Sequence, residues 1–383
     1  MSSVEQSFRA VMFGSAVALC VLAPAAQAEN FEILHTFTGS DGAYPAYNEL
    51  ELYGGKLYGT TPNGGGVDAG VVFQLTTKGR EKILHAFSGG FVGANPNGGV
   101  VHDPATGDIY GTTAAGGDTG NGLIFRLAKD GKYTVLHSFT GLDGQAPIGS
   151  LVRDEAGNLY GVAIAGGESS SGTLFEFTAS GEFRLLHAFS GGDGAGPSAT
   201  LNRDSTGNLY GVTQFGGDDG FGTVFKVASD GKFTTLYSFT GGSDGGNPQG
   251  GLARDGAGNL YGTATYDGAH GKGTVFKLKS NGKFNVLYTF LGQDDGQYPT
   301  GDLLRTGTGT LYGTTSYGGG NPGNGTAYRL SPNGKFLLLH SFGGGFDDGA
   351  YPHAGLIQGG RNKFYGIAHS GGGGAGIVYQ LTK

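Results

Sequence analysis

The chain has 383 residues, including 81 Gly and 12 Pro, and a formal net charge of -7 at pH 7. Charged residues make up only 14% of it, and no basic stripe of the kind that nucleic acids require is present, so that class of partner is excluded. This much Gly and Pro approaches the level of disordered chains, but here the glycines are periodic and flank short apolar runs, which favours a folded repeat protein.

Residues 1–28 predict a cleaved secretory signal. Arg9 is the only basic residue of this segment, an apolar or small-residue run spans 10–25, and Ala26-Gln27-Ala28 fits the small-x-small cleavage rule. A membrane anchor is the alternative, but the apolar run is short and the cleavage pattern follows it. We therefore expect an exported protein, periplasmic or extracellular, with a single domain over 29–383 and no membrane span in the mature chain.

Three markers then recur seven times each along the chain, and they define a repeat of about 50 residues. The first is the tyrosine of L-Y-G and its variants: Tyr58, Tyr110, Tyr160, Tyr210, Tyr261, Tyr312 and Tyr365. The second is the aromatic of G-T-V-F: Phe73, Phe125, Phe175, Phe225, Phe276, Tyr328 and Tyr379. The third is the ring of L-H-x-F: His35, His85, His137, His187, Tyr237, Tyr288 and His340.

Each repeat predicts four short strands. A D-x-x-G-N turn such as 204–208 and a two-residue S-D-G-K turn such as 229–232 join consecutive strands as antiparallel hairpins. The other connections are longer: a Gly-rich loop such as 216–220, and a loop ending in D-G-x-x-P. Four-stranded units at this period predict a seven-bladed β-propeller; a β-solenoid would need shorter rungs and parallel pairing. The third marker is out of phase, so we expect 31–37 to pair with 376–381 and close the ring.

The repeated polar positions are first interpreted structurally. The Asp of D-G-x-x-P recurs at Asp41, Asp143, Asp193, Asp244, Asp295 and Asp348, whereas the second repeat has Val92. One carboxylate per blade is too dilute for calcium, so we predict turn capping at these positions. Because Tyr replaces His twice at the third marker, that ring is predicted to pack between blades and not to bind a metal.

The binding residues are expected on the long loops, because those loops vary in charge and aromatic content between repeats. Exposed aromatics beside carboxylates suit a polar ligand that stacks on rings, such as a glycan. The predicted ligand-binding residues are Tyr44, Phe215, Asp218, Asp219, Tyr266, Asp267, Tyr298, Tyr317, Tyr351, His353 and His369. Turn chemistry, with aromatics folded over the blade ends, is the alternative for the same loops, and His353 with His369 could also form a metal or acid/base pair.

The motifs L-Y-G-T-T, G-G-x-x-G-x-G-T-V-F-K-L, x-D-G-K-F-T-x-L-H-S-F and D-G-x-x-P resemble the GloVer-type ("choice-of-anchor") tandem repeat of secreted bacterial proteins, over residues 31–383. The resemblance implies export and transfers no catalytic residue. The family's members carry assorted C-terminal anchors, and this chain ends at 381–383 without one, so surface attachment is not expected.

The sequence thus predicts an exported, non-catalytic binding module that uses the long-loop face around the central channel, with a carbohydrate or protein ligand. A monomer without a cofactor or metal is expected. One alternative is a propeller enzyme of lyase or lactonase type with a metal on the axis; small inner-strand residues such as Gly98, Gly149, Gly250 and Ala354 argue against it. A structural scaffold is the other alternative.

Overall fold

The computed structural model describes residues 30–45 and 49–382, so the predicted signal segment lies outside the described residues. Thirty strands form seven four-stranded antiparallel sheets and one two-stranded sheet. The only helical element in these two ranges is one turn of 3-10 helix, Gly90–Val92. The predicted all-β, seven-bladed propeller is confirmed.

The blades follow one another along the chain, and their strand bounds are as follows. Blade 1 contains β2 (Glu51–Tyr53), β3 (Lys56–Thr61), β4 (Val71–Thr76) and β5 (Glu81–Ala86), and blade 2 contains β6 (Val101–His102), β7 (Ile109–Thr113), β8 (Leu123–Leu127) and β9 (Tyr133–Ser138). Blade 3 contains β10 (Gln145–Arg153), β11 (Leu159–Ala165), β12 (Thr173–Phe177) and β13 (Phe183–Ala188), and blade 4 contains β14 (Ala195–Arg203), β15 (Leu209–Phe215), β16 (Thr223–Val227) and β17 (Phe233–Ser238). Blade 5 contains β18 (Ala253–Arg254), β19 (Leu260–Ala264), β20 (Thr274–Leu278) and β21 (Phe284–Thr289), and blade 6 contains β22 (Leu304–Arg305), β23 (Leu311–Thr315), β24 (Thr326–Leu330) and β25 (Phe336–Ser341).

Blade 7 is assembled from both ends of the described chain. It contains β27 (Ile357–Gly360), β28 (Lys363–Ala368) and β30 (Ile377–Thr382), and its outer strand is the N-terminal β1 (Asn30–Thr36). β1 runs antiparallel to β30, with Asn30 opposite Thr382 and Thr36 opposite Ile377. The small sheet of β26 (Gly349–Ala350) and β29 (Ser370–Gly371) lies in the loops above this blade. The pairing covers both sheet edges that would otherwise be open.

The two tight turns of each repeat have the local chemistry that the sequence predicts, with one correction. In blade 4, Asp204 Oδ1 accepts the backbone N–H of Asn208 at 3.0 Å, and Gly207 has φ 88°. The S-D-G-K turn was predicted to have two residues, but the Ala228 N–H bonds the Lys232 carbonyl at 2.9 Å, which leaves three residues between them. Gly231, with φ 86°, supplies the left-handed residue that a three-residue hairpin loop requires.

The apolar core lies between neighbouring blades. One cluster joins Val162, Leu174 and Phe189 of blade 3 to Leu201 and Phe225 of blade 4. The glycine of each L-Y-G makes room for the buried ring: a Cβ on Gly211 would lie 2.5 Å from Phe225. Because each core needs two blades, no blade is stable alone.

The repeated ring at the third marker packs between blades, as predicted. His187 stacks on Phe233 of the next blade at 3.8 Å between ring centroids, and its Nε2 lies 2.9 Å from Asp193. Asp193 also accepts the Ser190 backbone N–H at 2.8 Å, so the loop carboxylate serves both the turn and the ring. In blade 1, where Val92 replaces the Asp of the loop that follows, His85 Nε2 is buried without a hydrogen-bond partner in the described residues.

Candidate functional site

The two kinds of long loop lie together on one face of the propeller. In each blade the residue directly after the D-G glycine, or after its counterpart Gly93 in blade 2, pairs with the loop that follows the L-Y-G strand, as in the bridges Gly246–Tyr266 and Gln297–Tyr317. In the first blade the corresponding bridge joins Ala43 and Asn63. The long-loop face therefore carries the aromatics of both loop types, and the tight turns lie on the opposite face.

Six of the predicted binding rings form a contiguous arc on this face, which we term the aromatic crescent. Its members are Tyr266, Tyr298, Tyr317, Tyr351, His369 and Tyr44. Ring centroids are 5.1 Å apart for Tyr266 and Tyr298, 6.0 Å for Tyr298 and Tyr317, and 5.1 Å for Tyr317 and Tyr351. The His369 N–H bonds the Tyr351 carbonyl at 3.2 Å, and the His369 ring lies 5.3 Å from Tyr44. The arc spans the three seams that join blades 5, 6, 7 and 1.

Three crescent tyrosines occupy left-handed backbone positions. Tyr44, Tyr298 and Tyr351 have φ of 55°, 58° and 57°. The fold requires this conformation in every blade, because the equivalent residues Asn95, Ala146, Gly196 and Asn247 have φ between 51° and 62°. Tyrosine is not selected by that geometry, since Gly and Asn adopt it at lower cost. The three tyrosines are therefore better explained by what their rings contact than by the turn.

The crescent occupies only one side of the face. At the two loop positions that carry aromatics elsewhere, blade 2 has Asn95 and Ala115, and blade 3 has Ala146 and Ala165. Phe215 of blade 4 is 52% exposed and continues the line of the crescent beside Gly196. At these two loop positions the aromatic residues thus occur in blades 4 to 7 and in blade 1, whereas blade 2 carries its exposed ring, Phe91, elsewhere on the loop.

A pocket of about 270 Å³ opens inside the crescent, on the propeller axis. Among the described residues its walls include Gln214, Gln249, Thr300 and His353, with Ile148 and Ile164 on the side of blade 3. His353 Nδ1 lies 2.9 Å from the Ser316 hydroxyl, and its ring lies 5.7 Å from His369 of the crescent. Burial, and then His369, lower the pKa of His353 to about 4, so this ring is neutral at neutral pH.

The floor of the pocket lies at the level of a ring of seven residues, each just before a buried aliphatic residue (Val100 in blade 2 and Leu in the other blades), and four of the seven line the pocket. The seven are Glu49, Gly99, Ser150, Thr200, Gly251, Asp302 and Gly355. Only Glu49 and Asp302 are charged, and Gly355 lies between them in the ring, where a Cβ would be 2.8 Å from Glu49 Oε1. The glycine leaves space for the two carboxyl groups to hydrogen-bond to each other across the axis.

This carboxyl pair divides the channel. A second cavity, also of about 270 Å³, lies on the tight-turn side, and it shares only Glu49, Thr200 and Asp302 with the first. Asp302 accepts the Gly251 N–H at 2.5 Å and a hydrogen bond from the Thr200 hydroxyl. The connected side chains of blades 1, 4 and 6 therefore form a floor that separates the two mouths.

Burial raises the pKa of both carboxyl groups. The pKa of Glu49 lies well above its usual value because of burial and the neighbouring Asp302 carboxylate. Burial raises the pKa of Asp302 to about 6, although the Gly251 N–H, the Thr200 hydroxyl and Glu49 partly oppose the shift. At neutral pH Asp302 is therefore mostly ionised, whereas the raised pKa of Glu49 favours its protonated form.

The remaining predicted site residues lie outside the pocket. Asp218 and Asp219 are exposed on the Gly-rich loop of blade 4. Asp267, beside Tyr266, is half-buried, and burial followed by Asp244 raises its pKa. No group of three or more His, Cys, Asp and Glu side chains with metal-site geometry occurs in residues 30–45 and 49–382.

Glu49 and Asp302 were missed from the sequence, where small inner-strand residues argued against a polar centre. One feature of the sequence could have indicated them. The position just before the buried aliphatic residue of the inner strand is Gly in three repeats and a carboxylate in two.

The fold and site define a seven-bladed β-propeller with an axial pocket and a one-sided aromatic rim. The chain belongs to the Gloeobacter/Verrucomicrobia repeat family, whose model matches residues 19–205 and 180–379. No functionally curated protein matches the sequence.

Several solved propellers share the fold. The extracellular domain of a protein described as a one-component system from B. thetaiotaomicron aligns at TM-score 0.60 and 10% identity, over 92% of this chain and 40% of that chain. The extracellular domain of a hybrid two-component system from the same organism aligns at TM-score 0.57 and 11% identity, over 94% of this chain and 41% of that chain. A puromycin-hydrolyzing peptidase of Mycobacterium tuberculosis aligns at TM-score 0.56 and 14% identity, over 90% of this chain and 53% of that chain. This chain thus spans about half or less of those proteins, and identities this low show a common fold alone.

No helix in the described ranges is long and apolar enough to cross a bilayer.

Proposed function

We propose that this protein is an exported, non-catalytic binding module whose ligand is a carbohydrate held on the long-loop face. The observation that carries the proposal is the aromatic crescent, which places six rings around one side of a polar axial pocket. Tyr44, Tyr266 and Tyr317 are 46%, 43% and 43% exposed, so their ring faces are available to a ligand. Exposed aromatic surface beside convergent polar groups is the usual composition of a small-ligand site.

The pocket supplies the polar half of such a site. Gln214 and Gln249 offer amide groups that both donate and accept, and the Thr300 hydroxyl lies two residues below the crescent ring Tyr298. Two residues of chain span at most about 7 Å, so one ligand can contact the crescent and the pocket wall together. A sugar fits this arrangement because it has an apolar ring face and hydroxyl edges.

The geometry of the carboxyl pair favours binding over hydrolysis. Glycosidases need about 5–10 Å between two carboxyl groups, so that the sugar carbon, and in some enzymes a water, fits between them. Glu49 and Asp302 instead hydrogen-bond directly to each other. The pair therefore serves better as a fixed polar floor than as an acid and a nucleophile.

A glycan array screened with the exported chain tests the proposal. For a glycan that binds, Tyr298→Ala and Tyr351→Ala should each weaken binding about tenfold or more. Both variants should fold, because Ala146 already occupies the same left-handed position in blade 3.

Two kinds of control separate the site from the rest of the surface. Leu142→Ala removes a side chain that is 73% exposed on a blade 3 loop outside the crescent, and it should leave binding unchanged. Lys232→Ala and Lys283→Ala on the tight-turn face should also have no effect. Binding that depends on the lysines and ignores the tyrosines would place the site on the opposite face, and no binding to any glycan would favour a scaffold.

A further inference from the structure

The shape and charge of the axial pocket restrict which part of a glycan can enter it. The pocket is smaller than the roughly 300–1,000 Å³ typical of sites for drug-sized ligands, so it has room for one ring-sized unit and not for two in succession. Its lower end is the floor of Glu49, Thr200 and Asp302, beyond which a separate cavity begins. A glycan end that enters from the long-loop face therefore meets the side chains of this floor.

The one-sided crescent determines the direction in which the rest of the bound glycan leaves the pocket. Blades 2 and 3 present Asn95, Ala115, Ala146 and Ala165 at the rim, which offer no ring for stacking. Blades 5 to 7 present Tyr266, Tyr298, Tyr317 and Tyr351 in contact with one another. Units that follow the one in the pocket find adjoining ring contacts by leaving over blades 5 to 7.

The charges differ between the floor and the rim. At neutral pH the ionised Asp302 gives the floor a negative charge in a half-buried setting, where Coulomb interactions are weakly screened. No Lys or Arg is among the described residues that line the axial pocket. At the rim, by contrast, Lys272 Nζ lies 5.6 Å from the centroid of the Tyr298 ring. A carboxylate on the ligand is therefore repelled in the pocket by the charge of the floor. The crescent carries no such charge and does not exclude a carboxylate.

We propose that the pocket receives the terminal unit of a glycan chain, and that this unit is neutral or bears an ammonium group and not a carboxylate. The inference rests on the proposed carbohydrate function and specifies its ligand. Hydroxyl groups of the terminal unit donate to Asp302 and exchange hydrogen bonds with Gln214 and Gln249. An ammonium group in the same place pairs with the carboxylate.

Matched linear hexasaccharides test the proposal. Each of several backbones (cello-, malto-, xylo-, manno- and chitohexaose) is immobilised through its reducing end and, separately, through its other end. Every backbone with a C6 hydroxyl is also prepared with the free terminal unit oxidised at C6 to a carboxylate, or carrying a C6 amine. The exported chain should bind a backbone in one orientation of attachment only. The terminal carboxylate should weaken binding about tenfold or more, and the amine should not weaken it.

Asp302→Asn identifies the source of the discrimination. It removes the charge of the floor and keeps an acceptor for the Gly251 N–H, so the penalty against the terminal carboxylate should shrink to about threefold or less. Asp230→Asn, which removes one charge from an exposed tight turn on the other face, is the matched control and should keep the full penalty.

The outcomes distinguish this inference from the function on which it rests. Equal binding in both orientations, or equal binding of neutral and acidic ends, overturns the terminal-unit proposal and leaves the carbohydrate module standing, provided that Tyr298→Ala still weakens binding. Absence of binding to every hexasaccharide overturns both. A penalty that survives in Asp302→Asn overturns the assignment of the discrimination to the floor.

Discussion

The carboxyl groups of Glu49 and Asp302 hydrogen-bond to each other across the propeller axis, although they come from the first and sixth blades. Their pKa values are both raised, so the folded protein binds protons more tightly here than the unfolded chain does. For Asp302 the ordinary value is about 3.9, and burial raises the pKa to about 6. Ionising the pair therefore destabilises the fold as the pH rises from about 4 to above 6.

Asp302→Asn should consequently stabilise the protein at pH 8 and have little effect at pH 4. The amide keeps the acceptor and supplies a donor to Glu49, while the buried charge is removed. We expect the free energy of unfolding at pH 8 to increase by about 1–2 kcal/mol. This is less than the full pKa shift implies, because the side chain is partly open to the channel. Urea denaturation at pH 4, 5, 6 and 8 measures it, and a gain of the same size at pH 4 and pH 8 would contradict the raised pKa.

Asp204→Asn is the control of opposite sign. Hydrogen bonds from Asn208, Thr206 and Tyr210 outweigh burial and lower the pKa of the Asp204 carboxyl in its tight turn. Its contribution to stability is therefore present at neutral pH and lost as the pH falls below about 4. The substitution should destabilise the protein at pH 8 and lose most of that effect in strong acid.

Val92→Asp should stabilise the contact between blades 1 and 2, where His85 stacks on Tyr133. In blades 3 and 4 the equivalent carboxylates contact a ring and a loop N–H, whereas His85 Nε2 is buried and unpartnered in the described structure. The new carboxylate lies seven residues after His85, the same spacing as between Tyr237 and Asp244. We expect the free energy of unfolding at pH 7 to increase by about 1 kcal/mol. Chemical denaturation of Val92→Asp beside Val92→Ala measures it, and equal stability of the two variants would refute the missing-partner explanation.

Stability should depend on the N-terminal strand. A chain beginning at Thr38 lacks β1 and Phe37, which removes Phe31 from its stack on His340 at 4.1 Å and exposes the edge of β30. Each lost buried side chain costs roughly 1.5–3 kcal/mol, so the total approaches the whole stability of a domain, roughly 5–15 kcal/mol. Thermal melts compare it with a chain beginning at Asn30, and coincident melting curves would show that β1 does not close the ring.

Export should remove residues 1–28. The Ala26-Gln27-Ala28 pattern predicts that the mature chain begins at Glu29. Intact-mass measurement of the protein recovered outside the cytoplasm checks this cleavage. A retained leader, or a mass increase corresponding to a lipid on Cys20, would be inconsistent with the prediction.

Much of this protein was determined by the sequence alone, because each repeat is built from local chemistry. The Asp and Gly of the turn at 204–208 and the alternating apolar residues act over a few positions, and seven copies at a fixed period specify the number of blades. The out-of-phase third marker likewise indicated that β1 belongs beside β30. The aromatic loop residues could be selected as a group because they depart from the repeat.

Only the tertiary structure decided how those residues meet. Tyr298 contacts both Tyr266 and Tyr317 because loops of successive blades converge across the seams, and no spacing in the sequence encodes that convergence. The contact between Glu49 and Asp302 could not be predicted from the sequence for a related reason. The first repeat has one more residue between Pro45 and Glu49 than the sixth has between Pro299 and Asp302, so their shared level on the axis is not evident from spacing. Closing the ring brings the two carboxyl groups together, and burial at that point changes their protonation.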